Sequence, residues 1–485
     1  MKNNIKKNII EKKENRMPIY EWAKLQKNKS EMKRIFNRNK NEMEGFLPIA
    51  REIFQAVKNG GAKAVIELEL KYNKHLTSET YNVKNLKISE TEIVEAYKKV
   101  GEKGLKTIKE YVRGVKIIGD ALMEKERKDV TVERSPGFTA SYITVPRESV
   151  GVYCPAGQVP LPIVSGMLSQ SASCAGVPRI GVFFPPTELD AEIIVAGKEA
   201  GATEFYRIGG AQAIATMTFG IENIKPFDMI VGPGSNITQA GKIIARENGT
   251  FTDAIGGPSE QVVLVESGAP LTSIIMAARD ILTECEHGET STGVVITNSK
   301  KIAEQIRDIM FQFAEIEERK DVINEAWRRA SAIIVAKSPK EMVDIAGKYG
   351  GEHIGIYMKN PSQYVAQVNS TSVSLNDINK KMSFMSTARA NYGGTYHATL
   401  PTGQVGRLQP GGTTPKMFLR EIEVMNITNE GATEGLRVCE DLAKCELLPS
   451  HRNAMQTTRI LRGDEKTGNF ALEKVISKII KQYGK

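Results

Sequence analysis

Four of the five histidines in this 485-residue chain lie beyond residue 280, and two of them stand beside carboxylates. In "TECEH", Glu284 and His287 are three apart, which puts both side chains on one face of a helix. Such a pair can share a metal ion if other segments add ligands, or it can be no more than a solvated helix end. In "GGEH", Glu352 and His353 are adjacent. Neighbouring side chains diverge on a helix or strand, so joint proton chemistry requires a loop at a strand end, which the two preceding glycines permit. A surface dipeptide is the other reading. His397 sits in the loop-like "NYGGTYHATLPTG", and His451 at a helix start in "ELLPSHRNA".

A second group of candidates is backbone rather than side chain. The loops "GVYCPAG", "GGAQA" and "GPGSN" each follow a strand-like apolar run, where N–H groups at a helix start can receive phosphates. None of them is G-x-G-x-x-G, so the usual dinucleotide fingerprint is missing.

These residues need a scaffold, and the pattern predicts one of α/β class. From Phe46 to about Asp129, apolar residues recur every three or four positions, as in "FLPIAREIFQAVKNGGAKAVIELELKYNK", with Gly60-Gly61 offering a helix stop. From Pro146 short apolar strands ending in glycine or proline alternate with helical segments. The alternation then runs again through "EQVVLVE", "TGVVIT" and "SAIIVA". Two α/β units with parallel sheets are expected. The boundaries read as a basic extension at 1–45, a helical region at 46–145, α/β domains at 146–257 and 258–412, and a helical C-terminal domain at 413–485.

Composition narrows the function classes. The formal charge is +9, but residues 1–50 hold 13 Lys/Arg against 6 Glu, leaving the rest nearly neutral. Tyr20, Trp22 and Phe36 are the only aromatic residues among the first 45, and no recognition module is present, so no nucleic-acid partner is expected. A solvated or partly helical extension is the reading preferred there. The start lacks an apolar h-region and no run of about 18 apolar residues occurs, so neither secretion nor a membrane span is expected. Five cysteines without CxxC pairing fit a reducing cytoplasm.

Taken together and in order, "PRESVGVYCPAG", "GGAQAIA", "VGPGSN", "GGPSE", "ECEH", "GGEH", "HATLPTG" and "ELLPSH" resemble the histidinol dehydrogenase family from about Phe46 to Arg462. The resemblance implies two incomplete Rossmann-like domains, small helical N- and C-terminal parts that intertwine two chains into a homodimer with a shared active site, and NAD and Zn2+ as cofactors. It implies oxidation of a primary alcohol, L-histidinol, through the aldehyde to L-histidine. By resemblance His353 is the base for the hydride steps and Glu352 activates water, each approaching a different side of the reacting carbon. Glu284, His287, Asn391 and His451 take the metal positions. Tyr153, Gln212 and Ser235 or Asn236 take the NAD positions, while Ser259, His397 and Glu446 take substrate positions, Glu446 reaching in from the partner.

Three departures bear on this. Glu284 stands where the family has Gln and Asn391 where it has Asp, which exchanges carboxylate and amide at constant ligand charge. The family's "NHVLPT" reads "HATLPT" here, putting Ala398 at the substrate-contacting histidine and His397 one residue early. A paralogue acting on another alcohol, such as a hydroxylated sulfonate or an amino alcohol, is the alternative.

Overall fold

The apolar runs that end in glycine or proline become two parallel sheets wound in the same order. The computed structural model describes residues 16–36, 44–126, 129–156, 161–187, 190–370, 372–380, 412–464 and 467–484. It divides into two units. One comprises residues up to Glu126 with Pro146–Leu419, the other Arg127–Val145 with Arg420 onward.

The described chain enters through strand β1 (Ile19–Glu21) and helices α1 (Trp22–Leu25) and α2 (Lys29–Phe36). The segment read as part of a solvated extension is therefore ordered into the core: Trp22, Leu25, Ile35 and Phe36 are buried, and β1 adds an edge strand to a sheet far along the sequence. Helix α3 (Leu47–Tyr72) follows, and the expected stop at Gly60-Gly61 is a kink. The interrupted hydrogen bonding is recovered because Ala62 N donates to Glu222 Oε2 at 2.8 Å. Helix α4 (Glu90–Glu126) completes this part. The next stretch, read as helical, is instead an antiparallel pair, β2 (Val130–Ser135) and β3 (Phe138–Pro146), whose period-two Val and Thr residues suit a strand.

The first sheet is built from β4 (Ser149–Tyr153), α5 (Pro162–Ala175), β5 (Arg179–Phe184), α6 (Ala191–Glu199), β6 (Glu204–Arg207), α7 (Gly210–Phe219), β7 (Met229–Val231), α8 (Asn236–Glu247) and β8 (Phe251–Thr252). Its order is β6-β5-β4-β7-β8, all parallel. Helices α4, α5 and α6 cover one face and α3, α7 and α8 the other. Because the winding reverses between β4 and β7, their carboxyl ends flank the crevice where such sheets bind ligands.

The second sheet repeats the plan with β9 (Glu260–Val265), α9 (Leu271–Cys285), β10 (Thr292–Thr297), α10 (Lys300–Ala314), α11 (Lys320–Ala330), β11 (Ala332–Val335), α12 (Pro339–Tyr349), β12 (His353–Met358) and β13 (Ser372–Asp377). Its order is β1-β11-β10-β9-β12-β13. Every residue of β9, β10 and β12 is buried, as expected for parallel strands covered on both faces.

The other unit joins β14 (Leu419–Ile427) to β3 and β2, followed by α13 (Asn429–Cys445), α14 (Pro449–Arg462) and α15 (Phe470–Tyr483). The strand β14 replaces a helix expected from "TPKMFLREIEVMNIT". Its Ile422, Val424, Met425 and Ile427 are exposed. None of the five cysteines forms a disulfide, and no described helix is long and apolar enough to cross a membrane.

Because Leu25 is 1% exposed and packs among residues of the second sheet, Leu25→Ala is expected to destabilise the fold by about 2–5 kcal/mol, read from the denaturant midpoint. An unchanged midpoint would show that the N-terminal segment is dispensable to the core.

Candidate functional site

Three loops meet at the carboxyl ends of β4, β6 and β7. Tyr153 ends β4, is buried, and accepts a hydrogen bond through its hydroxyl from Gly210 N at 3.1 Å. Gly210 has φ +54°, a conformation that favours glycine, and a Cβ there would lie 2.8 Å from Gln212 Oε1. The "GGAQA" turn thus brings Tyr153 and Gln212 together. Gly232 of "GPGSN" approaches so closely that a Cβ would stand 2.1 Å from Tyr153 O. Ser235, exposed, caps α8, and Asn236, half-buried, begins it.

The "GPGSN" turn is held by two charged residues that sequence reasoning passed over. Lys242 and Asp253 form an ion pair with both side chains fully buried. Gly232 N donates to Asp253 Oδ2 at 2.8 Å, while Lys242 Nζ donates to Gly232 O at 2.9 Å and Ala254 O at 3.1 Å. Burial pulls the Lys242 pKa down and pushes that of Asp253 up, against their mutual attraction. The available signal was a lysine inside the apolar face of "ITQAGKIIARE", which a periodicity reading takes for a solvated position.

The titratable cluster lies at the opposite kind of edge, where β9 and β12 begin and α9 ends. Glu284 occupies the last turn of α9 and His353 opens β12, with Glu352 in a bend just before it. The strand-end loop needed for joint action is present: Gly350 ends α12 in the left-handed conformation. The two side chains converge rather than diverge, with His353 Nε2 3.7 Å from Glu352 Oε1. Glu352 Oε2 also accepts from Glu260 N at 3.3 Å, which ties the bend to the start of β9, where Ser259 precedes the strand half-buried.

Glu284, Glu352 and His353 are all buried and offer ligand atoms within 4.8 Å of one another, a group able to hold a metal ion among the described residues. His287, just past the helix end, has Nδ1 3.0 Å from Glu284 Oε2, as their spacing predicted. Two carboxylates this close in a dry place repel, so the cluster suits a positive charge between them. Protonated His287 is one source and a divalent cation is another, and the mixed N and O donors fit zinc. Burial opposes the charge on both Glu284 and His287. Their hydrogen bond wins, holding Glu284 below the ordinary carboxylate range and raising His287 to about 9, with Glu352 adding to the latter.

Glu446 and His451 belong to the other unit. Glu446 caps the end of α13 and His451 lies in the first turn of α14, both exposed, around Leu447 at φ +57°. Asn391 and His397, the remaining metal and substrate candidates, lie outside the described residues.

Comparison with known proteins places these features in one context. A family model described as histidinol dehydrogenase matches residues 36–459. Curated histidinol dehydrogenases are similar over nearly their whole lengths. That of Thermotoga maritima is 31% identical, the match covering 84% of this chain and 92% of the relative, and that of Escherichia coli is 30% identical over 85% and 91%. The crystal structure of histidinol dehydrogenase from Elizabethkingia anophelis superposes with a TM-score of 0.76 at 26% identity, covering 84% of this chain and 90% of that one.

For chelator-treated protein, an NMR titration should place His287 near 9 rather than its ordinary 6.5. Glu284→Gln should return it toward the ordinary value. Since the folded-state pKa is raised, the stabilisation is complete below about 6.5 and is lost as pH rises through about 9. A His287 that titrates normally beside intact Glu284 would contradict the pairing.

Proposed function

The chain belongs to the histidinol dehydrogenase family and is an NAD-dependent oxidoreductase, and from that premise we propose that it oxidises L-histidinol through the aldehyde to L-histidine. The observation that carries the reading is the buried Glu352–His353 pair, 3.7 Å apart, beside Glu284 and His287. Oxidation of an alcohol to an acid needs a base twice, once for the alcohol proton as hydride departs and once for the water that adds to the aldehyde. His353 takes the first role and Glu352 the second. NAD supplies the hydride acceptor in both oxidations, and Tyr153, Gln212 and Ser235 or Asn236 are assigned to hold it.

Glu284, His287, Asn391 and His451 are assigned to Zn2+, which when bound supplies a Lewis acid for the substrate's amino and alcohol groups. What supports this is that Glu284 belongs to the buried group able to hold a metal ion and that His287 stands 3.0 Å from it. Ser259, beside the Glu260–Glu352 contact, is assigned to substrate, as are His397 and the partner's Glu446. A homodimer with a shared site fits the exposed apolar residues of the smaller unit, Leu442 and Leu447 on either side of Glu446 among them. The absence of disulfides is in keeping with a cytoplasmic enzyme.

A second substrate reading, a hydroxylated sulfonate or amino alcohol, is favoured by Ala398 at the position where the resemblance expects a histidine. A site built to hydrogen-bond one polar group discriminates strongly against analogues that lack it.

With zinc-loaded protein, two NADH per L-histidinol are expected in an absorbance assay run beside a panel of polar primary alcohols. Turnover of another alcohol alone would select the second reading. Glu352→Gln should slow the aldehyde-to-acid step by about 10²–10⁴-fold while sparing aldehyde reduction. Equal loss of both would overturn the division of roles.

His451→Ala should lose zinc and activity. Glu446→Ala should lose activity, and mixing it with Glu352→Gln under subunit exchange should restore activity, since one site of each mixed dimer is then intact. No recovery would argue against a site shared between subunits.

A further inference from the structure

A buried carboxylate that the reading above does not use stands behind the "GGAQA" turn. Glu69, on the second segment of α3, is 0% exposed. Its Oε1 accepts from Gly209 N at 2.7 Å and from Gln212 Nε2 at 2.8 Å, and its Oε2 accepts from Asn73 Nδ2 at 2.6 Å. The next backbone N–H in the turn, that of Gly210, goes to the Tyr153 hydroxyl. Two successive N–H groups at the start of α7, the kind that receives a phosphate elsewhere, are therefore already taken, one of them by an acid.

We propose that Glu69 is a positioning residue for the cofactor: by taking one of the two Gln212 amide N–H groups it fixes the orientation of the amide, so that Gln212 meets NAD as an acceptor through Oε1, and it keeps phosphate away from this turn. The partner group on NAD is then a neutral donor, either the nicotinamide carboxamide N–H or a ribose hydroxyl. The inference rests on the assignment of Gln212 to NAD.

The chemistry of the turn agrees on three counts. A carboxylate can only accept, which orients the Gln212 amide with its NH2 toward Glu69. Gly210 leaves the room that Oε1 occupies, since a Cβ would lie 2.8 Å from it. Burial pushes Glu69 up to about 7, against the pull of the Gly209 N–H and the Gln212 amide, so an ionised Glu69 at neutral pH leans on those two donors.

The test compares NAD dissociation constants by calorimetry with kcat and KM for the full-length, zinc-loaded enzyme. Glu69→Ala strands the two N–H groups and should weaken NAD about tenfold while kcat changes little. Glu69→Gln, whose amide oxygen can accept the same two N–H groups, should recover most of the affinity. Gln212→Ala should weaken NAD to a similar degree. The analogue 3-acetylpyridine adenine dinucleotide lacks the carboxamide N–H, so it should lose its deficit relative to NAD in Gln212→Ala if that N–H is the donor, and keep it if a ribose hydroxyl is.

If Glu69→Ala binds NAD like the parent enzyme while Gln212→Ala does not, the proposal falls and the cofactor assignment stands. If Gln212→Ala also binds normally, both fall. Should Glu69→Ala fail to fold, Asn73→Ala releases only Glu69 Oε2 and should weaken NAD about threefold, with a lowered melting midpoint that still leaves the protein folded at the assay temperature. An unchanged dissociation constant there would overturn the proposal.

Discussion

Two carboxylates buried within one small cluster repel each other, and much of this chain is arranged to offset that repulsion. Glu284 and Glu352 come from segments well separated in sequence, yet each is buried beside an imidazole, His287 for one and His353 for the other. The elements follow from this demand. Helix α9 must end where β12 begins, and the bend before β12 must turn Glu352 back to the start of β9 through Glu260 N. Any slip of β12 by one residue would send His353 to the opposite face of the sheet.

The two sheets share a winding order but present different edges to chemistry. The first uses the carboxyl ends of its strands, where loops and helix starts expose N–H groups. At two of those turns the N–H groups are claimed by side chains, Gly232 N by Asp253, Gly209 N by Glu69 and Gly210 N by Tyr153. These loops lack the standard glycine fingerprint, and their N–H groups are bonded within the protein. The second sheet uses the amino ends of β9 and β12, where α9 delivers its last turn.

Buried charges away from the cluster obey the same rule. Lys242 is paired with Asp253 and capped by two carbonyls, and Glu69 accepts from three donors. Leaving any of these groups without a partner costs more than the pair itself contributes. The side chains of Glu69, Asp253 and Lys242 accordingly bond the backbone of turns, at Gly209 and Gly232, where such groups are left free by the sheet ladder.

Much of this was legible in the residues. Apolar runs broken by glycine and proline marked the strands of both sheets, because covered parallel strands are apolar on both faces. The three-residue spacing of Glu284 and His287 foretold their contact, because a single turn at the end of α9 brings such residues together locally. The pairing of β1 with β11, the strands β2, β3 and β14, and the partners of Glu69 and Lys242 were not legible. Each depends on a segment distant in sequence, and an exposed strand such as β14 shows no alternation against a core. The sequence by itself determined which side chains could carry chemistry and which local elements would bear them. Only the tertiary structure decided that Glu352 and His353 converge, that Glu284 joins them, and that the turn N–H groups are already bonded, because distances between remote segments are set by packing and not by spacing along the chain.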